Sequence, residues 1–206
     1  MQKLQYITHE APLLSHPELA EAACKGGVKW VQLRLKNLPE NECLEIAQAT
    51  KIICDRYNAI FIINDNVKIA KAVKASGVHL GKNDMHPLEA RKILGNDYII
   101  GGTANTFEDV KQCYEAGVNY VGLGPYRFTK TKKELSPILG LEGYRNIIRA
   151  CQKNRIDVPI FAIGGIQADD VQTILRTGVH GIAVGTGIGL GNPTKNAQKF
   201  LEGVTD

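Results

Sequence analysis

No apolar run in the 206-residue chain approaches the ~20 residues that span a bilayer, so no membrane helix is expected. No low-complexity tract or linker interrupts it either, which predicts one domain over 1–206. There is no C-x-x-C pair. The five cysteines, Cys24, Cys43, Cys54, Cys113 and Cys151, are odd in number and widely spaced, which argues against a disulfide or metal framework. Free thiols on helical segments are expected instead. Basic residues form no stripe, and the net charge is only +4. That suits anionic small molecules and predicts no nucleic-acid partner. A strand-like segment begins almost at once, leaving no room for a signal peptide, so a cytoplasmic setting is expected. Whether the chain forms a homo-oligomer stays open.

What is present is an alternation. Short β-branched and aromatic runs at 4–8, 28–34, 59–64, 77–80, 98–101, 119–122, 158–163 and 181–185 predict strands. Helical patterns follow at 16–26, 39–57, 66–75, 86–94, 106–116, 140–153, 169–177 and 194–203. Pro17, Pro39, Pro87 and Pro193 stand at or just before helix starts, and Gly26, Gly77, Gly117 and Gly178 follow helices as C-cap residues do. Eight strand–helix units with right-handed crossovers predict an α/β fold, a (β/α)8 TIM barrel of the phosphate-binding type, over an open doubly wound sheet. In such a barrel chemistry gathers at the C-terminal ends of the strands.

The second strand ends in Val31-Gln32-Leu33-Arg34-Leu35-Lys36. Alternation puts Gln32, Arg34 and Lys36 on one face, toward the barrel mouth, and the apolar set toward the helices. Arg34 there suits a bidentate grip on phosphate. The third strand runs into Asn64-Asp65, and Asp84 follows the fourth. Neighbouring strands lie about 4.8 Å apart, so the two carboxylates can converge as a Mg²⁺ site. The plainer readings are a helix N-cap for Asp65 and a turn residue for Asp84. His79 reads as a structural, hydrogen-bonded histidine; His9, His16, His86 and His180 show no supporting pattern. After the sixth strand, a glycine-rich loop of about 15 residues carries Thr129, Thr131 and Lys132, and such length predicts a mobile phosphate lid. Strands seven and eight end in Gly164-Gly165 and Gly185-Thr186, where barrels of this kind hold phosphate on backbone N–H groups.

The ordered set Gln32-Leu33-Arg34-x-Lys36, Ile63-Asn64-Asp65, Gly77-Val78-His79-Leu80-Gly81-x-x-Asp84, Tyr120-Val121-Gly122-x-Gly124-Pro125 with Thr129-x-Thr131-Lys132, and Ile163-Gly164-Gly165-Ile166 resembles the thiamine phosphate synthase family over almost the whole chain. The resemblance implies a transferase that condenses an aminopyrimidine methyl diphosphate with hydroxyethylthiazole phosphate, or its carboxylate form, releasing pyrophosphate. It implies Gln32, Arg34, Lys36, Asn64, Thr103 and Lys132 as pyrimidine-diphosphate ligands, and Asp65 and Asp84 as Mg²⁺ ligands. Thr129, Thr131, Gly165, Gly185 and Thr186 would hold the thiazole phosphate. Arg34, Lys36 and Lys132 would act electrostatically on a dissociative substitution.

Three positions depart from the family pattern: Leu35 for a frequent acid, Phe128 for a frequent proline and Asn105 for a frequent histidine. Leu35 faces away from the site by parity. Asn105 cannot move protons as a histidine would, which weighs against the sister thiazole tautomerases. The other rivals are a non-catalytic barrel that binds a thiamine precursor and an unrelated phosphate-binding isomerase or aldolase. The last would want a Schiff-base lysine or poised carboxylate inside the barrel, and no strand-interior lysine or glutamate presents itself.

Overall fold

The computed structural model describes residues 1–128 and 137–205. Eight parallel strands close into a barrel in sequence order, β8 pairing back onto β1. They are β1 (Leu4–Ile7), β2 (Trp30–Leu33), β3 (Ile60–Asn64), β4 (Gly77–Leu80), β5 (Ile99–Ala104), β6 (Tyr120–Leu123), β7 (Ile160–Ile163) and β8 (Gly181–Val184). The outer layer comprises α1 (His16–Lys25), α2 (Glu40–Arg56), α3 (Val67–Ala72), α4 (Pro87–Leu94), α5 (Phe107–Glu115), α6 (Gly140–Lys153), α7 (Val171–Leu175), α8 (Thr186–Gly189) and α9 (Pro193–Thr205). Among the described residues, no helix is long and apolar enough to cross a membrane.

Strand alternation divides the core in two. Val31, Leu33, Phe61, Ile63, Val78 and Leu80 face outward and pack with helix residues such as Leu19, Ala20 and Ala47 in one continuous sleeve. Trp30, Ile62, Tyr120 and Phe161 face inward and form a separate cluster. There Trp30 meets Tyr120 and Phe161 edge-on at centroid distances of 4.8 and 4.9 Å. Large side chains fit inside because small ones oppose them. Gly101 lies in register with both His79 and Tyr120. A Cβ there would sit 2.3 Å from Tyr120 Cζ and 2.6 Å from His79 Nδ1.

Several local expectations change. Gly77 is not a helix C-cap: α3 ends at Ala72, capped by Val73. Gly77 opens β4, where a Cβ would lie within 1.9 Å of the Ile99 carbonyl oxygen on the next strand. The helix expected at 169–177 divides into a 3-10 turn (Ala168–Asp170) and α7. Gln167 and Asp170 cap that turn reciprocally, which tightens the first residues away from α geometry. Strand β5 runs on to Ala104, so Thr103 belongs to the strand. The short α8 was not foreseen. Pro17, Pro87 and Pro193 do open helices, while Pro39 precedes α2 as its N-cap residue. All five cysteines lie on helices as free thiols.

Candidate active site

At the C-terminal end of β2, parity works as expected but depth does not. Gln32 is buried inside the barrel, below the mouth, where its amide donates to Gln5 Oε1 at 3.2 Å. Arg34, two residues on, lines a cavity at the mouth, and its backbone N–H donates to Thr8 Oγ1 at 3.1 Å. Lys36 Nζ reaches Asp65 Oδ2 at 2.6 Å. Leu35 packs outward against the sleeve.

Asp65 is held at the end of β3 in a left-handed conformation, φ 65°, its N–H donating to the His79 carbonyl at 2.8 Å. It is not the N-cap of α3. Asn66 takes that role, accepting from the Ile69 N–H at 3.0 Å, and this leaves the Asp65 carboxyl for other work. Asp84 accepts the Gly81 N–H at 2.6 Å, so it is indeed a turn residue. It also hydrogen-bonds Asp65. The expected turn role and the expected convergence of the two carboxyls therefore coexist.

Burial raises both carboxyls, but their neighbours split them. For Asp65, burial is outweighed by the hydrogen bond from Asp84 and by the Lys36 ammonium, and the net is below the usual carboxylate range. For Asp84, burial and the hydrogen bond to Asp65 together push the carboxyl up. Two adjacent carboxyls beside a lysine offer the kind of hard-oxygen donors that Mg²⁺ takes. No group of three or more His, Cys, Asp or Glu residues surrounds a common point among the described residues.

Across the mouth, a cavity of about 120 Å³ is lined by Arg34, Thr103, Asn105, Gly165, Gly185 and Thr186, among others. Gly165 has φ +66°, and a Cβ there would lie 2.5 Å from Arg127 Cγ, so the turn after β7 requires glycine. Arg127 in turn pairs with Asp170 at 2.8 Å, tying the start of the loop after β6 to the turn after β7. Asn105 donates its amide to the Gly124 carbonyl, a structural bond with no acid–base chemistry. Thr129, Thr131 and Lys132, with the expected lid, lie outside the described residues.

His79 is buried and bonded on both ring nitrogens, to Tyr120 Oη at 3.1 Å and Thr103 Oγ1 at 2.9 Å. This matches the structural reading. Asn64 presents a buried amide nitrogen with no hydrogen-bond partner among the described residues. Near the site, Gln5 was missed and His9 was set aside as showing no pattern. Gln5 bridges Gln32 and Tyr120. His9 lines the mouth cavity, its pKa lowered first by burial and raised in part by a hydrogen bond to the Ile7 backbone. The alternation that found Gln32 and Arg34 would have found Gln5 and His9, since positions 5, 7 and 9 share a face.

A family model described as thiamine monophosphate synthase matches residues 4–188, from β1 into α8. The chain belongs to the thiamine monophosphate synthase family. Within the family, it is 48% identical to the thiamine-phosphate synthase of Phocaeicola vulgatus over 200 residues, covering 97% of this chain and 96% of that one. It is 50% identical to the Flavobacterium johnsoniae thiamine-phosphate synthase over 182 residues, 88% and 86% of the two chains. Among solved structures, the thiamine phosphate pyrophosphorylase from Pyrococcus furiosus matches with a TM-score of 0.87 and 33% identity, covering 98% and 95%. The protein is accordingly an enzyme, a transferase of thiamine biosynthesis. All the proposed site residues fall within the matched span.

Proposed function

We propose that this member of the family joins an aminopyrimidine methyl diphosphate to hydroxyethylthiazole phosphate, or to its carboxylate form with loss of CO2, giving thiamine phosphate and pyrophosphate. The observation that carries this reading is the Asp65–Asp84–Lys36 cluster on one side of the mouth, facing a glycine-built anion cradle on the other. Two anionic groups can be gripped at opposite rims with Arg34 between them.

Gln32, Arg34, Lys36, Asn64, Thr103 and Lys132 would hold the pyrimidine diphosphate, the Asn64 amide, which has no partner among the described residues, offering a ready donor. Thr129, Thr131, Gly165, Gly185 and Thr186 would hold the thiazole phosphate, with backbone N–H groups brought close by the glycines. Asp65 and Asp84 would bind Mg²⁺, whose chemistry there is to stabilise negative charge on the departing pyrophosphate. With Asp65 engaged by Mg²⁺, the Lys36 ammonium would be available to the diphosphate. Arg34, Lys36 and Lys132 then stabilise charge as the methylene C–O bond breaks and its electron pair leaves with pyrophosphate. The aminopyrimidine ring stabilises the methylene cation, the thiazole nitrogen supplies the new bond, and no general base is required. The buried barrel interior closes the site from below.

The test is to incubate purified protein with both precursors and Mg²⁺, then quantify thiamine phosphate and pyrophosphate. The reading expects both in equal amounts and neither with a chelator. Absence of product, or rearrangement of the thiazole carboxylate alone, would overturn it.

A further inference from the structure

Five polar side chains from five strands form one hydrogen-bonded line through the barrel interior. Gln32 Nε2 donates to Gln5 Oε1 at 3.2 Å, and Gln5 Nε2 donates to Tyr120 Oη at 3.1 Å. Tyr120 Oη lies 3.1 Å from His79 Nδ1, and His79 Nε2 lies 2.9 Å from Thr103 Oγ1. Gln5 is 1% exposed, Gln32 2%, Tyr120 0% and His79 8%, so water does not interrupt the line.

The proton order along it follows from the orientation of the two glutamine amides. Gln5 presents its carbonyl to Gln32, so its amide must face Tyr120. A phenol has one proton. Having accepted from Gln5, Tyr120 donates that proton to His79 Nδ1. An accepting Nδ1 leaves the neutral imidazole protonated on Nε2, which donates to Thr103. The Thr103 oxygen is thereby an acceptor within the barrel, and its own proton is left to point elsewhere. Thr103 lines the mouth cavity, and it also lines a second cavity beside Asp84. Burial holds the Tyr120 phenol in its protonated form, which keeps the order intact.

We infer that Gln5 and Tyr120 are positioning residues whose one-way hydrogen-bond chain through His79 fixes the Thr103 hydroxyl as a donor toward an acceptor atom of the pyrimidine diphosphate. This rests on the functional reading above for the identity of the ligand. The proton order itself does not. Gln5 and Tyr120 never touch substrate; they act by setting which way Thr103 presents its proton.

Two measurements test it. The first needs no substrate: nitrogen-15 NMR of the histidine-labelled protein should show His79 neutral and protonated on Nε2 alone, and Tyr120→Phe should alter that signal. A His79 protonated on Nδ1, or on both nitrogens, would overturn the inference. The second is a double-mutant cycle. Tyr120→Phe and Thr103→Val should each raise KM for the pyrimidine diphosphate about tenfold, and together also about tenfold, because the second change removes what the first has already disordered. KM for the thiazole phosphate should stay within about twofold, and Thr103→Ser, which keeps the donor, should restore most of the loss. Gln5→Leu should mimic Tyr120→Phe, which guards against a variant that simply folds poorly. Multiplicative effects, or equal rises in both KM values, would refute positioning. A wild-type protein that makes no thiamine phosphate would instead sink the functional reading, leaving the histidine spectrum to decide the proton order on its own.

Discussion

Replacing Asp65 by Asn separates the proposed catalytic role of the carboxyl pair from its structural one. Asn is isosteric and tolerates the left-handed conformation that Asp65 adopts at φ 65°, so the backbone is undisturbed. What is lost is charge. The Lys36–Asp65 pair spans 2.6 Å, but the two side chains are 42% and 30% exposed, so solvent screens it and Lys36 can re-solvate. Its loss should cost no more than about 1 kcal/mol of stability. The Asn amide can also keep a hydrogen bond to Asp84. Catalysis should suffer far more. Removing a preorganised electrostatic contributor to the departing charge typically costs about 2.7–4 kcal/mol, so kcat should fall roughly 10²–10³-fold. The assay pairs pyrophosphate release across a Mg²⁺ titration with thermal denaturation of the same preparation. A variant that melts normally, turns over slowly and no longer responds to Mg²⁺ matches the reasoning. One retaining a third or more of wild-type turnover with an unchanged Mg²⁺ requirement would refute it.

Other predictions follow from the same geometry. Gly101→Ala should destabilise the fold by about 1–3 kcal/mol or more in denaturant titrations, because the new methyl group meets Tyr120 and His79 inside the barrel. Gly165→Ala should raise KM for the thiazole phosphate with little change for the pyrimidine substrate, since the turn loses both its φ +66° conformation and its clearance from Arg127. Because the Asp84 carboxyl is pushed up, it keeps its proton into a pH range where ordinary carboxyls are ionised. Mg²⁺ affinity should therefore rise with pH through that range, with up to one proton released per ion, a quantity calorimetry in two buffers reads directly. The sign for stability is opposite in the two partners. The raised Asp84 favours the fold at low pH and loses that contribution as pH rises through its folded pKa, whereas the depressed Asp65 contributes above the unfolded carboxyl's pKa and loses it as pH falls through its own.

Much of the fold was legible because it rests on local rules. Alternating short strands and amphipathic helices leave eight units, and the parity of Val31 to Lys36 assigns inside and outside correctly. The convergence of Asp65 and Asp84 was legible for the same reason: adjacent strand ends in a barrel are close wherever the chain wanders between them. Depth was harder. Gln32 sits below the mouth because it completes an interior bond to Gln5, and that bond joins residues 27 apart in sequence. Gly77 reads locally as a cap, while its true constraint is the Ile99 carbonyl on a neighbouring strand. Thr-Gly-Ile-Gly in α8 has poor helix propensity and is helical only in its tertiary setting. Gln5 and His9 obeyed the alternation rule, but β1 ends in no charged run to draw attention to it.

The central claim is that the two carboxyls grip a divalent cation together with the departing pyrophosphate. Calorimetric titration of the protein with inorganic pyrophosphate, with and without Mg²⁺, tests it most directly. The account predicts that Mg²⁺ tightens pyrophosphate binding at least tenfold in the wild-type protein and not in the Asp65→Asn, Asp84→Asn double variant. Equal tightening in both proteins, or none in the wild type, would contradict it.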